Sequence, residues 1–373
     1  MKKILLDDMI LTKDLPTAAG SKMLDGYMSL FDATVVEKLT AAGFEIGGKV
    51  PVGEMAIDLV GETCYAGATH TAAAAKALKN DTVSGVIAFD VNGAPRRVAA
   101  QNDLIFLKPT YGTVSRYGTV PVACSGETVG VMANTVTDCR QVLTAIVGKD
   151  ERDGTMHADA LTYDLAMDMA KPAKKVAILK MAADAEVTAK IEAAKAEMAA
   201  NGIEITEIES AELMAAKTAW NILMCAELCN NVSRYDGIKY GYRTKNYKTI
   251  DELYTNSRTE AFGDLLKTAI LFGSDVLSTK NYMAKYDKAL RIRRVIAEVF
   301  AKLFANADAV LMPACSKMAY TDADSAFEEN KYTAPASITG LPAVVAGGVQ
   351  LIGPAFADSA LLDLAKILVK EGK

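Results

Sequence analysis

The sequence is poor in the residues from which most catalytic and metal centres are built. It holds two histidines, His70 and His157, which leaves almost no material for a histidine-based metal site or a Ser–His–Asp triad. His157 stands in the polar stretch "DERDGTMHADA" and is expected as solvent-facing filler. His70, in "YAGATHTAAAA", is expected at a helix N-terminus, capping or packing. No CxxC pair occurs among the six cysteines, so neither a zinc ribbon nor a disulfide framework is indicated. Cys225 and Cys229 are four apart, which sets two free thiols on one helix face. Glycine-rich phosphate loops are missing, as neither GxGxxG nor GxxxxGK[ST] appears. A GxSxG nucleophile elbow is missing too. There is no basic excess, with a net charge of −5, so no footprint for nucleic acid is visible. No apolar run approaches the ~18 residues of a spanning helix. The opening "MKKILLDDMIL" is broken by Asp7 and Asp8 and reads as a first strand rather than an export signal. The expected home is the cytoplasm, and no cofactor or metal is expected.

What is present is an alternation of short apolar runs with helical patterns over 373 residues, the mark of an α/β chain. Strands are expected at "KKILLDDMIL", "FEIGGKV", "SGVIAFDV", "KKVAILK", "IEITEIE" and "DAVLMPA". "DATVVEKLTAAG" predicts a helix with Asp32 as its cap and Gly43 as its stop. "HTAAAAKALKN", "TVTDCRQVLTAIVGKD" and "DAEVTAKIEAAKAEMAANG" are further helices. "DELYTNSRTEAFGDLLKTAILFGSDVLS" and "AKYDKALRIRRVIAEVFAKLFANA" read as two long ones. No linker or repeat interrupts the pattern, so residues 1–373 are expected to form one domain.

The stretch "FLKPTYGTVSRYGTVPVACSGETVGVMANTVTDCRQVLTAIVGKDERD" resembles the amidase signature family, and within it the A subunits of the glutamyl-tRNA(Gln)/aspartyl-tRNA(Asn) amidotransferases. The likeness continues in "SRYDGIKYGYRTKNYKTIDELYTNSRTEAFGD", in "GLPA" at 340–343 and in "LIG" at 351–353. It implies a fold with a central mixed β-sheet flanked by helices, here shortened at the N-terminus and in several loops. It also implies a Ser–cis-Ser–Lys triad that hydrolyses amides. In that triad a lysine in Lys-Asp-Asn serves as base, through a serine in Gly-Gly-Ser-Ser-Gly-Gly, for the nucleophile in Asp-Thr-Gly-Gly-Ser. A serine hydroxyl needs such a base to become nucleophilic, and the glycines turn N–H groups toward the oxyanion.

Carried over by the same resemblance, the triad positions hold other residues. "DDM" at 7–9 puts Asp7 at the lysine. "FDVNGAPRRVAA" keeps Asp90, Gly93 and Arg96 but has Ala94 at the nucleophile. The relay serine falls on His70. In the substrate pocket Trp220 stands for a tyrosine, Thr268 or Ala269 for an arginine, and Asn330 for an aspartate. The leading expectation is a pseudo-amidase, whose function is binding. Its partner would be an amidotransferase-B-like protein, a true A subunit or a second copy, or else a small ligand in the remodelled cleft. A second expectation is new chemistry in the old cleft, with Asp7 and His70 as a base pair, Arg96 as an anion clamp, and Cys64 or Cys124 as nucleophile. A third is a working glutamine-hydrolysing A subunit. If active, the chain would be a C–N hydrolase or amidotransferase.

Overall fold

The computed structural model describes residues 2–67, 73–79, 83–162 and 173–371. Its centre is a ten-stranded sheet in the order β2-β1-β3-β5-β4-β9-β10-β8-β6-β7. The strands are β1 (Lys3–Asp7), β2 (Glu45–Val50), β3 (Gly85–Asp90), β4 (Ile105–Lys108), β5 (Thr128–Ala133), β6 (Lys175–Leu179), β7 (Glu204–Ile208), β8 (Ala309–Pro313), β9 (Ala343–Ala346) and β10 (Val349–Ile352). Both ends of the sheet are parallel, with β1 between β2 and β3 and β6 between β7 and β8. The middle is antiparallel, from β3 through β5, β4, β9 and β10 to β8.

Burial explains the strand sequences. Every residue of β3, β4, β5, β8, β9 and β10 is buried, so these strands read as unbroken apolar runs covered on both faces. The two edge strands, "EIGGKV" and "EITEI", keep exposed charged positions, which discourages edge-to-edge pairing. Helices Thr34–Ala41 and Ala185–Ala200 connect the parallel pairs β1–β2 and β6–β7, as parallel neighbours require.

Several local expectations need correction. Asp32 does not cap its helix. Ala33 precedes the first turn, and the Asp32 carboxylate accepts from Lys13 N at 2.8 Å and pairs with the Lys13 ammonium at 3.1 Å. The first long helix is two, Ile250–Ala261 and Asp264–Leu277. The break falls at Phe262 and Gly263, both extended, where the Gly263 N–H turns to the buried Glu54 carboxylate at 2.8 Å. The second long helix begins with a wide turn, Met283–Asp287, before Lys288–Phe304. The last third adds helices Ala326–Thr339 and Asp358–Val369.

Candidate functional site

Asp7 ends β1 and Asp90 ends β3, at the carboxyl ends of two neighbouring parallel strands. That rim is where open α/β sheets place their ligands. One Asp7 oxygen accepts from Phe89 N at 2.8 Å. Asp8 turns away, accepting from Ala18 N at 3.0 Å. The helix Ala94–Gln101 starts at the same rim, and its first residue, Ala94, shares a cavity of about 50 Å³ with Asp7. Asp58, Pro51, Val52 and Val98 complete much of the wall. Among the described residues, that wall carries no hydroxyl, thiol, imidazole or amine. Burial pushes the Asp7 carboxyl up to about 8, against the lowering pull of the Phe89 N–H. Asp58 is raised as well, by burial and then by Glu62.

Behind the cavity lies a buried polar lattice. Gly93 adopts φ 86°, and a Cβ there would stand 2.4 Å from the Thr333 side chain, so only glycine lets the helix begin so close to its neighbour. The Gly93 N–H donates to Asp90 at 3.0 Å. Arg96 binds Asp90 through Nε at 2.7 Å and Nη2 at 3.2 Å. Its remaining donors go to the Thr333 carbonyl at 2.7 Å, Gln350 at 3.0 Å and Ser337 at 2.6 Å. A guanidinium has five N–H donors, and all five are used within the protein. Arg97 donates to the carbonyls of Leu59 and Asp58 at 2.8 and 3.1 Å, and Asn92 donates to that of Ile57 at 2.6 Å. These side chains fasten the irregular segment 57–59, which is buried without being strand or helix.

A model of the family described as Amidase matches residues 3–362. The chain belongs to the amidase family. The A subunit of the glutamyl-tRNA(Gln) amidotransferase of Coxiella burnetii is 34% identical over 96% of this chain and 80% of its own length. The crystal structure of the corresponding protein from Thermotoga maritima superimposes with a TM-score of 0.78 at 24% identity, covering 99% of this chain and 83% of that one. The peptide amidase of Stenotrophomonas maltophilia gives 0.79 at 22% identity, covering 99% and 82%. These two structures fix the shared amidase signature fold.

On this amidase frame the other expected residues can be placed. His70 lies outside the described residues. Asn330, on helix Ala326–Thr339, is buried between the side-chain oxygens of Asn221 and Asn92, each 2.5 Å from one end of its amide, and its NH2 group donates to one of the two. It therefore joins the Asp90–Gly93–Arg96 group through Asn92 and Thr333, whose hydroxyl donates to the Asn92 carbonyl at 3.1 Å. Trp220, on helix Ala216–Val232, is fully buried, and a Cβ at Gly126 would stand 2.3 Å from its ring. Its indole N–H has no partner among the described residues. Of the pair offered for the lost arginine, Thr268 is exposed and donates its hydroxyl to the Asp264 carbonyl at 2.8 Å, while Ala269 is buried. His157 is half exposed, its Nδ1 accepting from Asp159 N at 3.1 Å, away from the cavity wall. Cys64 and Cys124 have thiols raised by burial, the opposite of an activated nucleophile. All six cysteines are free. Lys108 is buried, donates to the Leu341 carbonyl at 3.1 Å, and is held down to about 7 by burial and then by Arg96.

The residue that sequence reasoning missed is Asp58. Its signal was a lone acid inside the apolar run "MAIDLV", a place where a carboxylate is costly unless it has a task or a partner. No helix among the described residues is long and apolar enough to cross a membrane.

Proposed function

We propose that this chain is an amidase scaffold that no longer hydrolyses amides and acts by binding. One observation carries the reading: the cavity where Asp7 and Ala94 meet presents a methyl group in the nucleophile's expected place and a carboxyl in the base's, with no hydroxyl, thiol or amine on its described wall. Acyl transfer needs a nucleophile beside a base, and loss of such a unit removes many orders of magnitude of rate. The alternative with Asp7, His70 and Arg96 as a new catalytic set loses its clamp, because every Arg96 donor is already bound within the protein.

The chain works as one domain, residues 1–373, in the cytoplasm. It takes either a protein partner or a small ligand in the remodelled cleft. The relatives' own names call them subunits, which favours a protein partner: an amidotransferase-B-like protein, an intact A subunit or a second copy. The test is ammonia release from glutamine, asparagine and aryl amides, with an authentic amidotransferase for positive control. Silence on every substrate is the expected result. Release clearly above that of the Asp7→Ala and His70→Ala variants would overturn the reading and return the chain to the hydrolases.

A further inference from the structure

Two surfaces of the chain complement one another. The first is a knuckle built from residues 27–31 and the loop 233–249. Leu30 is 93% exposed and Met28 47%, with Phe31, Ile238 and Tyr240 at 38–39%. Ring contacts make the patch continuous, since Tyr240 meets Tyr27 at 6.0 Å and Phe31 meets Tyr117 at 5.2 Å. The knuckle is held in shape by its own bonds. Ser29 Oγ accepts from Phe31 N at 3.2 Å and donates to the Phe31 carbonyl at 2.7 Å, and Tyr242 N donates to the Met23 carbonyl at 2.8 Å. A surface ordered in advance spares a partner the cost of ordering it. The knuckle is also basic. Between Ser233 and Thr249 stand five cations, Arg234, Lys239, Arg243, Lys245 and Lys248, and one acid, Asp236. That is +4 within a chain of −5, which leaves −9 for the remainder. Asp236 is turned to the N–H groups of Ile238 and Lys239, and neighbouring Glu260 to the Tyr242 and Thr244 hydroxyls. All five cations are exposed, and among the described residues none pairs with a carboxylate.

The second surface is a cleft of about 670 Å³ at the Gln101 end of the helix Ala94–Gln101. Leu59, Val60, Met318 and Ala326 give it an apolar floor, which Leu265 extends from the helix Asp264–Leu277. Its polar side is acidic, with Glu62, Asp322 and Asp324. Asp324 is answered by Lys317 at 2.7 Å. Glu62 accepts from the N–H groups of Leu59 and Val60 at 2.9 Å and meets no cation among the described residues. Asp322 is exposed and likewise has no ion-pair partner there. The cleft and the knuckle share no residue.

We propose that this chain assembles with a second copy of itself, the knuckle of one copy seated in the cleft of the next. A convex apolar knob meets a concave apolar floor, with Leu30 as its anchor, and unpaired cations meet unpaired carboxylates around it. Because the two surfaces differ, the contact runs head to tail and leaves one knuckle and one cleft free in any open assembly. The inference rests on the reading that the chain acts by binding, and it selects the second copy among the partners.

The experiment is sedimentation velocity of the full chain from about 1 to 100 μM, the range of a modest protein contact. The average sedimentation coefficient should rise with concentration, and more steeply at low salt than at high, because salt screens the charges at the rim. Leu30→Asp and Asp322→Arg each change an exposed side chain, so both chains should fold as wild type does. Each should raise the dissociation constant about tenfold or more. An equimolar mixture of the two variants should form a dimer and nothing larger, since one supplies the intact knuckle and the other the intact cleft. A wild-type chain that stays monomeric at every concentration, a Leu30→Asp chain that associates as wild type does, or a mixture that stays monomeric would each overturn the proposal. So would an Asp322→Arg chain that associates normally, which would set knuckle against knuckle. A monomer would leave the binding reading to another partner, whereas ammonia release would end that reading without touching the association.

Discussion

Replacing Asp7 by asparagine should stabilise the protein, and by an amount that depends on pH. A carboxyl that ionises near 3.8 in the unfolded chain and near 8 in the folded one favours folding only while it is protonated. Its contribution is fully present below pH 3.8 and is lost as pH rises through 8. Between those limits the folded state gives up about 1.4 kcal/mol per pH unit. The full loss is about 6 kcal/mol above pH 8, and water entering the cavity reduces it to about 3 kcal/mol. That is a large part of a total stability of about 5–15 kcal/mol. Asparagine is neutral at every pH, so the variant escapes the loss. The assay is urea unfolding of both proteins from pH 5 to 9 in sodium buffers, followed by the fluorescence of Trp220, the sole tryptophan and a fully buried one. The two should be nearest in stability at the acid end. The gap should widen with pH and flatten above 8. A difference that stays constant across the range would refute the argument, because it would mean that Asp7 ionises as easily in the folded protein as in the unfolded one.

Lys108→Met should show the opposite pH dependence. Lys108 ionises near 7 when folded and near 10.5 otherwise, so the native chain loses stability as pH falls from 10.5 through 7, and the methionine variant should lead by about 2–4 kcal/mol below pH 7 in the same urea series. Arg96→Met leaves Asp90 buried without its partner and should cost about 3–5 kcal/mol; adding Asp90→Asn should recover part of it, read as the urea midpoint. Gly126→Ala drives a methyl into the Trp220 ring and should cost about 1–3 kcal/mol, which Trp220→Phe in the same chain should largely restore by calorimetry.

The parts of the fold with ordinary amphipathic or alternating patterns were legible in the sequence. Helix Ala185–Ala200, with Asp184 bonded to Val187 N, and the edge strands with exposed glutamates belong here. The middle of the sheet was legible only in part: "SGVIAFDV" and "DAVLMPA" read as strands and form β3 and β8, but β4, β5, β9 and β10 were not read. β4 "IFLK" and β5 "TVGVMA" are buried throughout, and without alternation a short apolar run does not declare itself strand or helix. Helix Ala326–Thr339 hid behind Pro335 in its interior, since proline ordinarily marks a break. For the site, Asp7, Ala94 and Asn330 could be named only by resemblance. That Asp7 and Ala94 border one cavity depends on the parallel pairing of β1 with β3, which no local pattern encodes. Arg96 reads in sequence as a free cation beside a cleft. Its five hydrogen bonds go to Asp90 and to three residues more than 230 positions later, which is why the idea of an anion clamp does not survive the structure.

Those late partners also set a timetable for synthesis. Arg96 must wait for Thr333, Ser337 and Gln350, separated from it by 237, 241 and 254 residues. At a ribosomal pace of about 5–20 residues per second, the interval from Arg96 to Gln350 lasts about 13–50 s. During that time the Arg96–Asp90 pair cannot be sealed into the centre of the sheet, and the apolar β4 lacks its neighbour β9. The centre of the sheet thus stays open while about two-thirds of the chain is made. A product that stops short of Gln350 leaves one buried Arg96 N–H without its acceptor, which costs the partial fold stability.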